Sequence, residues 1–98
     1  MRFDIKAAAL ADLESIYAYG LSEYGIERAE SYLAGIREQF DRLIAHPRLG
    51  PVVPGLSQSL RVWRFNRHHV YYRVSKDAVT VIRVLHHAMN AATRLEEP

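Results

Sequence analysis

The chain has 98 residues, the length of one small domain with one core, and 49% of them are hydrophobic, enough to fill that core. With no cysteine it forms no disulfide and offers only histidine and carboxylate to a metal, and no run of about 18 apolar residues is present to cross a bilayer. The formal charge of +2 hides a division, because residues 1–41 carry four Lys/Arg against eight Asp/Glu while residues 42–98 carry nine against three. Between Arg42 and Lys76 stand seven basic residues and no acidic one, a surface suited to an acidic partner or a phosphate backbone unless acidic helices simply balance it. Asp4 and Asp12 interrupt the N-terminal apolar stretch, and no small-residue cleavage site follows. The expectation is therefore a cytoplasmic protein with no membrane partner.

Phe3 and Ile5 alternate with polar residues and predict a short strand over residues 2–6. Leu10, Leu13, Ile16, Tyr17, Leu21 and Tyr24 then recur at three- and four-residue steps, the spacing of one helix face, and Gly25 supplies a residue that readily takes the left-handed conformation ending a helix. A second helix carries Ile26, Ala29, Leu33, Ile36, Phe40 and Leu43 as its stripe and stops by His46-Pro47, since proline disfavours helix in the residue before it. So short a joint makes the two helices an antiparallel hairpin whose shared apolar side needs a cover.

Residues 48–58 (RLGPVVPGLSQ) hold Pro/Gly signals and read as a loop, after which the period changes from helical to two. Leu60–Phe65, His68–Ser75 and Ala78–His86 are rich in Val, Tyr, Phe and Ile, and the joints at Asn66-Arg67 and Lys76-Asp77 are short enough for hairpins. Asn90 is a helix N-cap for a closing turn over Ala91–Leu95. The fold class is α+β: an N-terminal strand, a helical hairpin on one face of a three- to four-stranded antiparallel sheet, and a short C-terminal helix, all in one domain over 1–98.

Two-residue turns at both joints would sort the side chains onto two faces. One face takes Arg61, Trp63, Phe65, His68, Val70, Tyr72, Val74, Val79, Val81, Arg83 and Leu85, the more apolar set and the expected cover for the helices. Arg61, Trp63 and Arg83 then have structural roles, and the two arginines need acidic partners from the helices, with Asp12 the first candidate. The other face takes Leu60, Val62, Arg64, His69, Tyr71, Arg73, Thr80, Ile82, Val84 and His86, a mixture of apolar and cationic groups suited to meeting another macromolecule.

Five strings, in this order, resemble the ParE branch of the ParE/RelE toxin superfamily: ALADLESI at 9–16, FDRLIAHPRLG at 40–50, LRVW at 60–63, RHHVYYRV at 67–74 and VIRVLHHAMN at 81–90. The likeness covers nearly the whole chain. It departs from the family pattern at Lys6-Ala7, where Ser-Pro is usual, at Asn66 for glycine and at Asn90 for aspartate. The resemblance implies a bacterial type II toxin of the plasmid-maintenance kind that poisons DNA gyrase without being an enzyme. It also implies a ParD-like antitoxin that neutralises the toxin in a hetero-oligomer, its disordered C-terminal segment folding on the toxin. Partner binding is then expected at Arg64, His69, Tyr71, Arg73, His86 and Met89.

Two other readings accompany this one. A RelE-like, ribosome-dependent messenger RNA nuclease needs a base for the ribose 2′-hydroxyl, cations for the phosphorane and an acid for the leaving oxygen, and Arg64, His69, Arg73, His86 and His87 are of the right types. Against it, lysine occurs only at positions 6 and 76, and the dense cationic cluster of such nucleases is not reproduced after His87. The third reading is a non-toxic binding scaffold. No cofactor is expected, and no metal, because the neighbours in His68-His69 and His86-His87 point to opposite faces of a strand. Trp63, Tyr71 and Tyr72 beside arginines suit core packing more than stacking on nucleic acid, which argues against direct nucleic-acid binding.

Overall fold

In the computed structural model, which describes residues 1–56 and 59–95, Phe3 and Ile5 lie in strand β1 (Arg2–Ile5) and helix α1 (Ala7–Tyr24) follows at once. Its N-cap, Lys6, makes no side-chain capping bond, as the absence of the family's Ser-Pro implies. Gly25 is the whole connection to helix α2 (Ile26–Ala45): at φ 87° it occupies backbone space that a side chain would strain, and its N–H closes α1 on the Leu21 carbonyl. His46 caps α2 just before Pro47. Within the predicted loop, Ser57 and Gln58 lie outside the described residues. The rest runs along the sheet, where Val52 bridges Arg61 and the Val53 N–H donates to the Leu60 carbonyl.

Strands β2 (Arg61–Phe65), β3 (His68–Val74) and β4 (Ala78–His86) are consecutive antiparallel neighbours, and Asn66, at φ 52°, takes the left-handed turn position usually given to glycine. The sheet order is β1-β4-β3-β2. Because β1 runs parallel to β4, the sheet is mixed rather than wholly antiparallel, within the same α+β class. Helix α3 (Ala91–Leu95) closes the chain, its Thr93 N–H held by the Asn90 side chain at 3.3 Å.

The core forms where the hairpin meets the sheet. Ala9, Ile36, Phe40 and Leu43 come from the helices, and Val70, Tyr72, Val79, Val81 and Val84 from the strands. Each large side chain buried there contributes about 1.5–3 kcal/mol. The apolar stripe of the helices is wider than this core. Leu10, Leu21, Tyr24 and Ile26 remain exposed, and near the hairpin turn Tyr24 packs edge-on against Tyr19 instead.

The predicted register holds at both turns, with Phe65 opposite His68 and Val74 opposite Val79, and then breaks inside β4. Tyr72 pairs with Val81 but Tyr71 pairs with Arg83, so Ile82 is an extra residue, a β-bulge. Beyond it the faces exchange. Val84, expected on the free face, joins the core opposite Val70, and His86 follows it to the helix side opposite His68. Leu85 moves to the other face opposite His69. The physical reason is the identity of the side chains: without the bulge a guanidinium would fall in the apolar slot that Val84 fills.

Candidate partner interface

The open side of the sheet is built from alternate residues of β2 and β3. Arg64 stands directly opposite His69, and His69, Tyr71 and Arg73 follow one another at two-residue steps along β3. Arg64 is exposed, whereas His69 and Arg73 are half-buried. The His69 and Tyr71 rings meet at 6.3 Å. Burial lowers the His69 pKa first, and the positive charge of Arg64 lowers it further. Tyr71 is 7% exposed and offers a partner little of its ring. Leu60 and Leu85 are likewise buried and lie outside the main core cluster. The face is therefore cationic at its rim over an apolar floor.

His86 does not belong to this face. Its ring lies 5.5 Å from that of His68, and the His68 Nδ1 shares a 2.6 Å hydrogen bond with the Tyr32 hydroxyl of α2. His68 is held neutral: burial, followed by the charges of His86, His69 and His87, lowers its pKa to about 4. The nuclease set is thus divided, with Arg64, His69 and Arg73 on one side of the sheet and His86 on the other. His87 is exposed beyond the end of β4, stacked on His86 at 4.4 Å, and Met89 is exposed in the turn that follows. Among the described residues no group of three or more metal-ligating side chains converges.

The residues given structural roles fix this geometry. Asp12 Oδ2 and Oδ1 accept from Arg83 Nε at 2.8 Å and Nη2 at 2.9 Å, a forked pairing in which the side chains are 14% and 15% exposed. Oδ2 also accepts from the Val84 N–H at 2.9 Å. That N–H lies past Val81, the last residue of β4 paired with β1, so one carboxylate neutralises the guanidinium and satisfies backbone left open beyond the short strand. Arg61 differs from expectation, since it donates to the carbonyls of Gly50 at 2.7 Å and Arg48 at 3.4 Å and, among the described residues, forms no ion pair. Carbonyls suffice because the guanidinium lies beside the loop, where water reaches it. Trp63 Nε1 donates to Oε1 of the buried Gln39 at 2.9 Å.

Three tethers are absent from the sequence reading: Tyr32 to His68, Gln39 to Trp63, and the Tyr72 hydroxyl. The last donates to the Pro47 carbonyl and accepts from the Gly50 N–H, both at 2.8 Å, pinning the loop after α2 to the sheet. Tyr32 lies three residues after Ala29 and four before Ile36, a stripe position whose polar tip is the one available signal.

Comparison with known proteins agrees with this architecture. The family model for the ParE toxin of the type II toxin-antitoxin system parDE matches residues 3–91. Toxin ParE1 of Mycobacterium tuberculosis is 32% identical over 95 residues, covering 96% of this chain and 97% of its own length. Toxin ParE1 of Caulobacter vibrioides is 32% identical over 93 residues, covering 95% and 96%. A solved chain of the chromosomal ParDE TA system from P. aeruginosa superposes with a TM-score of 0.77 over 88% of this chain and 95% of that one, at 23% identity, and so shares the fold. With nearly its whole length matched at the level of family, sequence and fold, the chain belongs to the ParE toxins of type II toxin–antitoxin systems.

Proposed function

We propose that this toxin stops growth by binding DNA gyrase in the cytoplasm, as a single domain over residues 1–98, and that a ParD-like antitoxin neutralises it in a hetero-oligomer. The observation that carries the reading is the face bearing Arg64, His69 and Arg73, a cationic rim over a buried apolar floor on the side of the sheet away from the helical core. The cations at its rim suit an acidic macromolecular partner. Binding, rather than RNA cleavage, is favoured because His86 sits across the sheet from the residues with which it would have to act.

Induced expression in a growing bacterium tests the proposal. A gyrase poison gives filamentation and a DNA-damage response, a nuclease gives rapid translation arrest, and an inert scaffold gives normal growth. A supercoiling assay with purified protein then decides the mechanism: inhibition is expected, and untouched gyrase activity alongside cleavage of ribosome-bound message would refute it. Arg64→Glu should weaken inhibition while leaving thermal stability nearly unchanged, because an exposed charge contributes roughly 0–1 kcal/mol.

A further inference from the structure

Four of the chain's five histidines, His68, His69, His86 and His87, gather at one end of the sheet, where β3 begins and β4 finishes. Three of them join Tyr32 in a run of rings that crosses from α2 to the closing segment of the chain. The Tyr32 and His68 rings lie 5.4 Å apart and edge-on, those of His68 and His86 5.5 Å apart and edge-on, and those of His86 and His87 4.4 Å apart and tilted. Beyond His86 the chain turns toward α3, and local hydrogen bonds hold the turn. The His87 N–H donates to the Arg67 carbonyl at 2.8 Å and the Met89 N–H to the His86 carbonyl at 2.9 Å. The Ala88 N–H donates to the His86 ring at Nδ1, 3.2 Å away.

This last bond fixes a protonation state. A ring nitrogen that accepts from an amide N–H carries no proton, so in this arrangement the proton of neutral His86 is on Nε2. An imidazolium is protonated at both nitrogens, and its Nδ1–H would face the Ala88 N–H as one donor against another. The surroundings offer a second cation little relief. His69 and His87 act on the same His68 as His86 does, and Arg67, in the β2–β3 turn, adds a permanent charge at this end of the sheet. From α2 comes Tyr32, whose hydroxyl burial keeps neutral. From α1 comes the charge of Asp12, and Arg83 already engages both of its oxygens. Both penalties, the lost bond and the repulsion, vanish when the turn opens and the ring faces water. The open form therefore binds the proton better, and acid shifts the equilibrium toward it.

We propose that His86 is a proton-released latch: when neutral it fastens the turn at 87–89 to the end of the sheet, and when protonated it frees that turn while the core stays folded. Histidine is the side chain whose ordinary titration suits such a switch.

NMR on the full-length chain, titrated from pH 7.5 to 5.0, tests the proposal. The lower limit stays above the pKa of His68, about 4, so that ring remains neutral and its bond to Tyr32 is kept. Long-range ¹H–¹⁵N spectra should show His86 as the Nε2–H tautomer at pH 7.5. As it takes up its second proton, backbone order parameters at Ala88 and Met89 should fall from about 0.85 to below about 0.6, while those of Val70, Val79 and Val81 hold. His86→Asn keeps an acceptor for the N–H two residues on and takes no proton, so its turn should stay ordered across the range. Thermal melts at pH 7.5 check that this variant folds, and the wild-type readings do not depend on it. An Nδ1–H tautomer at pH 7.5, or unchanged order at Ala88 and Met89 in the wild type, overturns the proposal. So does equal loosening in His86→Asn, or loss of order in the core valines together with the turn, which would be global unfolding.

Discussion

Replacing Asp12 with alanine removes three acceptor contacts at once: two to the Arg83 guanidinium and one to the Val84 N–H. Removing one partner of a fully buried ion pair costs about 3–5 kcal/mol, and losing the partner of a buried N–H costs roughly a further 1 kcal/mol. Arg83 keeps 15% of its side-chain surface, and its Nη1 also reaches the Arg94 carbonyl at 3.3 Å, so water and that carbonyl recover part of the loss. A net destabilisation of about 3 kcal/mol results, which for a chain of this size lowers Tm by roughly 12–24 °C. Urea denaturation followed by circular dichroism measures it directly. Asp12→Ala/Arg83→Met should be less destabilised than the sum of its single variants by about 2 kcal/mol, because the charge that needs the carboxylate is gone. A change below about 0.5 kcal/mol in Asp12→Ala, the range of ordinary surface substitutions, would refute the assignment of this pair as the clamp on the end of β4.

Three further predictions follow from other tethers. Tyr72→Phe deletes the hydroxyl shared by Pro47 and Gly50, and should cost about 1–3 kcal/mol in urea denaturation with faster amide exchange at Gly50. Gly50→Ala should destabilise by at least about 1–3 kcal/mol, because the new Cβ would fall on the Val62 carbonyl oxygen and within 2.8 Å of the Tyr72 hydroxyl, and a strand carbonyl has little room to give. His68 makes stability depend on pH. Its folded pKa, about 4, lies below the ordinary 6.5, so between those values the unfolded chain holds more protons and stability rises with pH. The contribution is complete above about pH 6.5 and is lost as pH falls toward 4. The full shift would be worth roughly 3 kcal/mol, and because the ring is only half-buried, solvent screening reduces this to about 1–2 kcal/mol. Between pH 7.5 and 4.5 the wild type should lose that much more stability than His68→Gln, and equal losses would show that His68 is not the sensor.

Much of the fold was legible because helix and strand periods are strong signals here. The stripe Ala29, Leu33, Ile36, Phe40, Leu43 marks the buried side of α2, and Gly25, Asn66 and Asn90 each stand where the backbone needs them. The parallel placement of β1 was not legible, since a four-residue strand carries no information about its neighbour. Nor was the bulge, although its trace exists: Val81 and Ile82 are adjacent apolar residues, and strict alternation would then put Arg83 in a core slot. An alternation that sends a cation inward marks where the ladder slips by one, and every residue after the slip changes face. That single step moved His86 out of the candidate site and brought Val84 into the core.

The same slip ties stability to the arrangement of the partner surface. With Ile82 taken out of register, Val84 anchors the end of β4 in the core, while Leu85 turns outward opposite His69 and joins Tyr71 beneath the cationic rim. Leu85 is 1% exposed, so the floor of that face is itself packed and limits how far His69 and its neighbours can shift. Asp12 holds the far side of the same segment through Val84 and Arg83. Loosening the Asp12 clamp should therefore disturb the open face as well as the melting temperature. In Asp12→Asn, which keeps an acceptor for the Val84 N–H but brings an amide against the guanidinium, NMR resonances of His69 and Tyr71 should move although neither contacts residue 12. Unchanged resonances there, with a clear loss of stability, would mean that the two sides of β4 act independently.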